Sequence, residues 1–256
     1  MKEQNEQSAE NKTTDVVAAQ ARAVAVQQPN YITAMLESMK QDFLAANDGL
    51  DLDFVYMGEW LVIDKKGNFV EREGKDDAKT CVSYGDNIDI VIGYGEKRWS
   101  LWGLEKSPED GQLIVAEKEK EDAEAALTEW LEENPQAQER YNLSSLELRY
   151  MAYVVPVQTI KPDDMPKIYL MSFSPTGTIA FGKWAYAVYQ GKYKAVGIPN
   201  KTGVNKIVTR LSTSEKSGRG NTSWIGIDFE AVGMFNPADY GITDIPQTPT
   251  EVPNQA

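Results

Sequence analysis

From about residue 53 to residue 233 the chain consists of short runs of Val, Ile and aromatic residues separated by Gly-centred turns, and only one late run leads straight into a helix. That pattern constrains the fold more than any other feature. β-branched and ring side chains suit a pleated, half-buried surface, while Gly supplies the backbone conformations that tight turns need. Residues 54–63 and 68–72 around Lys65-Lys-Gly predict a hairpin. Residues 82–84, 88–94 and 98–102, the last two joined by a turn at Gly95-Glu-Lys, predict further strands, as do 148–157, 167–173, 206–212 and 223–232. A parallel α/β sheet would place a helix after each strand. The predicted fold class is therefore mainly β with inserted helices, an OB-fold-like small barrel with flexible N- and C-terminal segments.

Three segments have helical period. Ile32, Met35, Leu36, Met39, Phe43 and Leu44 share one face, expected to pack on the domain or on a partner helix. An acidic helix over 117–133, with Ala123, Leu127, Trp130 and Leu131 on one face, is stopped by Pro135. Ser174-Pro175 supplies a cap and a first-turn proline for a helix over 175–190. Its expected buried residues are Ile179, Ala180, Trp184 and Val188, with Phe181 also in the core. The chain divides into a polar arm over 1–29, an OB-like domain over 30–235 with an acidic helical insertion at 105–146, and a Pro/Thr/Asn-rich tail over 236–256.

The chain has no His and one Cys, Cys81. Ser-His-Asp and Cys-His chemistry, His-based metal sites and intrachain disulfides are thereby excluded. No cofactor is expected. No run resembles a signal peptide or approaches the ~20 apolar residues of a membrane span, so a soluble, cytoplasmic protein without a membrane partner is expected.

The net charge of −13 conceals an uneven distribution. From 167 to 220 there are nine bases against one acid, Glu215, whereas the residues before carry 17 bases and 33 acids and those after carry no base and five acids. A basic block between acidic flanks suggests an anion-binding surface.

Gly177-Thr-Ile-Ala-Phe-Gly-Lys183 has the glycine and lysine spacing of a P-loop. Trp184 stands where Ser or Thr would hold Mg²⁺, so a capped helix is the better reading. Among the acid pairs, Asp86/Asp89 and Asp228/Glu230 lie on or beside strands, and the second pair shares a strand face. A metal-dependent nuclease is the third functional class these residues allow.

The basic block is also rich in rings: Tyr169, Phe173, Phe181, Trp184, Tyr186, Tyr189 and Tyr193. Proteins bind single strands by tracking phosphates with cations and stacking bases on rings. The candidate contact residues are Lys97, Arg98, Lys183, Lys192, Lys194, Lys201, Lys206, Arg210, Lys216 and Arg219. Tyr193, Trp224 and either Trp99 or Trp102 are the candidate stacking rings. Trp99 and Trp102, three apart on a strand, point to opposite faces.

The order Tyr153-Val-Val-Pro-Val, Ile168-Tyr-Leu-Met-Ser-Phe-Ser-Pro-Thr, a helix, a Lys/Gly loop, Ile207-Val-Thr-Arg and Trp224-Ile-Gly-Ile-Asp-Phe-Glu resembles bacteriophage-type single-stranded DNA-binding proteins over 147–233. The resemblance implies an OB-like core, binding of single-stranded DNA without sequence preference in replication or recombination, and no catalysis. Replication or transcription proteins are candidate partners. The tail departs from that family's pattern, since Asp239, Asp244 and Glu251 form no acidic cluster. The alternative is a viral structural or regulatory protein that binds other proteins, with an oligomer formed through the 31–44 stripe.

Overall fold

The computed structural model describes residues 31–46, 59–72, 82–162, 164–218 and 223–242. The expected arm over 1–29 and the end of the tail lie outside these residues. Among the described residues nine strands make one mixed sheet: β1 (Glu59–Ile63), β2 (Phe69–Arg72), β3 (Ser83–Gly85), β4 (Asn87–Trp102), β5 (Leu113–Glu117), β6 (Glu147–Pro156), β7 (Tyr169–Phe173), β8 (Ile207–Ser217) and β9 (Ser223–Met234). Their order is β3-β2-β1-β7-β6-β4-β8-β9, with β5 pairing the far half of β4. β1 and β7 run parallel. Three α-helices accompany them among the described residues: α1 (Tyr31–Ala46), α2 (Lys120–Glu133) and α3 (Pro175–Tyr189).

The sheet curls strongly into a half-barrel. Thr213 of β8 donates its hydroxyl to the carbonyl of Gly67, in the β1–β2 turn, at 2.7 Å. Strands so far apart in the order meet only if the sheet bends back on itself. A second clasp ties strands near the edge of the sheet. The Tyr84 and Tyr169 hydroxyls lie 2.6 Å apart, Tyr169 donates to Glu71 at 2.6 Å, and Lys167 donates to Glu71 at 2.7 Å, linking β3, β7 and β2.

The sequence reads β4 as two strands with a turn at Gly95, but it is one strand of 16 residues. Its glycines serve close approach. A Cβ on Gly93 would run into Leu36 and Ile32 of α1, and one on Gly95 would lie 2.6 Å from the Tyr150 hydroxyl. A bulge between Ile92 and Tyr94 changes which residues face inward.

On the inner face Ile88, Ile90, Ile92, Ala152, Val154, Met171, Phe173, Leu211 and Ala231 form the main core beneath Phe181, Trp184 and Val188 of α3. On the outer face Ile32, Met35 and Leu36 of α1 pack on Val91, Val155, Ile160 and Ile168. Thr33 Oγ1 donates to the carbonyl of Gly93 at 2.7 Å. This part of the stripe expected to drive oligomer formation is therefore spent on the protein's own sheet.

The insertion contributes a strand as well as its helix. Leu101 and Val115 pack with Ala123 and Leu127 of α2, and Ala137, Tyr141 and Leu146 complete this small core. The chain also stays ordered past the expected start of the tail. A 3₁₀ turn over Pro237–Tyr240 follows β9, and Phe235, Tyr240 and Ile242 pack against the α1 cluster.

Candidate nucleic-acid interface

The site begins with how α3 is held. Ser174 caps it, accepting from the amide of Gly177 at 3.2 Å, with Pro175 in the first turn. Gly177, Phe181, Trp184 and Val188 recur every three or four residues and are buried. The Phe181 ring lies 4.5 Å from Tyr150, and Trp184 stacks on Phe229 at 5.6 Å. The segment with P-loop spacing is thus regular helix with one glycine facing the core.

The opposite face looks outward. Ile179 is 60% exposed, Tyr186 62% and Tyr189 51%, with Lys183 exposed among them. The expected burial of Ile179 is corrected by geometry. At about 3.6 residues per turn it lies some 200° round the helix from Phe181. Tyr186 and Tyr189 are not among the stacking rings that the sequence reading selects. The available signal was a helical wheel, which puts 179, 183, 186 and 190 opposite 177, 181, 184 and 188.

The lysine loop wraps back around the C-terminal end of α3. The amide of Lys192 donates to the Ala187 carbonyl at 3.1 Å, and that of Lys201 to the Tyr189 carbonyl at 2.7 Å. Lys201 holds φ of 63°, an uncommon conformation for a residue other than Gly. Lys192, Lys194 and Lys201 are exposed, as is Lys206 just before β8. Among the described residues, no carboxylate lies within ion-pair distance of Lys97, Lys183, Lys192, Lys194, Lys201 or Lys206. From 175 to 206 the chain has five lysines and not one Asp or Glu. Tyr193, expected as a stacking ring, is half-buried and packs against the main core.

The remaining candidates fall elsewhere. Arg210 makes a two-pronged pair with Asp89 at 2.8 and 2.9 Å. Lys216 donates to Asp228 at 2.7 Å, and Ser214 donates to the same carboxylate. These bonds from Lys216 and Ser214 hold the Asp228 carboxyl below its ordinary range. Trp224 is exposed beside Lys216. Since Ile227 and Phe229 of β9 pack with the core under α3, alternation puts Trp224 and Asp228 on the other side of the sheet. Arg219 lies outside the described residues.

On β4, Arg98 is bound to Glu96 and donates to the Ala116 carbonyl at 2.8 Å. Trp99 packs into the insertion core, with Lys120 5.7 Å from its ring centre. Trp102 meets Trp60 edge-on at 5.0 Å, and its indole nitrogen is buried without a partner among the described residues. Lys97 alone of this cluster is exposed on the side of α3, opposite Tyr150 in register.

Among the described residues no group of three or more acidic or Cys side chains is placed to hold a metal ion, and no helix is long and apolar enough to cross a membrane. Comparisons with known protein families, with curated proteins and with solved structures return no match.

Proposed function

We propose that this protein binds single-stranded DNA without sequence preference, on an OB-like half-barrel whose outward face of α3 and following lysine loop carry the strand. Lys183, Lys192, Lys194 and Lys201 track phosphates, with Lys97 and Lys206 at the margins, and Tyr186 and Tyr189 stack on bases. In line with the resemblance of its sequence to bacteriophage-type proteins, the proposed activity serves DNA replication or recombination and involves no catalysis.

One observation carries the reading. A chain of net charge −13 keeps 32 successive residues free of acid, and on their exposed face sets large rings among lysines that lack a carboxylate partner among the described residues. The helix dipole accounts for part of this, because cations near a C-terminus gain about 0.3–1 kcal/mol each. It gives no reason for Tyr186, Tyr189 and Ile179 to stand in water.

The test is competition between a labelled dT oligonucleotide and unlabelled single-stranded or duplex DNA of equal length, with Mg²⁺ present. Displacement by single strands ahead of duplex, with the oligonucleotide intact, is expected. Equal displacement by duplex, or shortening of the oligonucleotide, would overturn the reading.

A further inference from the structure

We infer that Gly182 is the point at which the sugar–phosphate backbone of the bound strand comes closest to the protein, lying against bare main chain between Ile179 and Tyr186. The inference rests on α3 being the nucleic-acid face.

Gly182 is in the middle of a 15-residue helix, well away from both caps. Short of proline, no residue suits a helix interior less, because glycine gives up the most backbone freedom there. Nothing among the described residues asks for it. A Cβ built on Gly182 would meet no atom of the described residues within 4 Å, whereas one on Gly177 of the same helix would touch Phe173 and Ser174 at 3.5 and 3.4 Å. Its backbone also avoids the left-handed region that would require glycine.

The explanation therefore lies outside the folded chain. Gly182 sits on the exposed face, with Ile179 one turn before it and Tyr186 one turn after, about 10 Å apart along the axis. Both are large and stand well out from the helix, so the glycine between them is the floor of a notch. Lys183 borders the notch, and Lys192, Lys194 and Lys201 follow at the helix end. This charge selects a polyanion, and a flanking ring suited to stacking selects one with unpaired bases. Backbone passing over the floor brings a phosphate to Lys183 and lets the attached base turn onto Tyr186.

The experiment compares G182A and G182L with the wild type and with Y186A, by thermal melting and by titration of labelled dT oligonucleotide. G182A is expected to melt about 2–4 °C higher, from helix propensity alone. It should nevertheless bind at least about fivefold more weakly, and G182L more weakly still. The salt dependence should be unchanged, since no charge is lost. If G182A melts higher and binds as tightly as the wild type while Y186A binds weakly, the notch is not approached and this inference fails alone. If Y186A too binds like the wild type, or the wild type binds no dT, the reading of the face fails with it.

Discussion

At the scale of the residue, solvent exposure separates the rings that can stack from those that cannot. Tyr186 and Tyr189 stand open beside lysines, while Trp99, Trp102 and Tyr193 are packed against other parts of the chain. Stacking on a ring is worth about 1–3 kcal/mol per base, so Y186A and Y189A should each weaken dT binding about 5- to 150-fold. Y186F, which keeps the ring, should bind within about twofold of the wild type. W224A should do the same, because Trp224 lies across the sheet from α3. Fluorescence titration of the four variants checks all of this. The run of lysines without acids is legible in the sequence, but the burial of Tyr193 is not. Tyr193 sits between two lysines and reads as exposed, yet the loop folds back and turns its ring inward. A helical wheel puts Tyr186 on the outward side of α3, whereas the burial of Tyr193 depends on how the loop packs against the core.

At the scale of the element, helices obeying a strong period are read well from sequence and glycines in strands are read badly. The α3 cap, its boundaries and its Phe181/Trp184/Val188 stripe follow from local chemistry. Gly95 reads as a turn because its reason for being glycine, the Tyr150 ring lying over it, comes from a strand about 55 residues later. The clasp joining β2, β3 and β7 is non-local in the same way, and it makes stability depend on pH at both extremes. Burial pushes the Glu71 carboxyl up, but the bonds from Lys167 and Tyr169 outweigh it and hold it below the ordinary carboxylate range. A lowered carboxyl stabilises the fold above its unfolded value, about pH 4, and that stabilisation is lost as pH falls through the folded value. Burial, then the bonds to Glu71 and Tyr84, push the Tyr169 hydroxyl far up. Its contribution is complete below the unfolded value, about pH 10, and is lost as pH rises. Y169F should cost about 1–3 kcal/mol at neutral pH by leaving Glu71 and Tyr84 short of a partner, and should flatten the alkaline loss. E71Q should flatten the acid loss. Urea unfolding across pH measures both.

At the scale of the whole molecule, the charge is segregated by position in the fold. The acidic helix α2 decorates the far half of β4, Asp228 and Asp89 are paired with Lys216 and Arg210, and the lysines of α3 and its loop have no carboxylate partner among the described residues. A net charge of −13 thus leaves a local surface suited to a polyanion. Four phosphates engaged by Lys183, Lys192, Lys194 and Lys201 would release counterions with a slope of log K against log salt near −2.8, at about 0.7 per phosphate on a single strand. The most direct measurement is dT affinity from low to moderate salt for the wild type and a K183A/K192A/K194A variant. The wild type should lose about 50-fold between 50 and 200 mM salt, and the variant's slope should fall to about −0.7. Binding that is flat with salt, or a variant whose slope matches the wild type, would show that this face does not carry the strand.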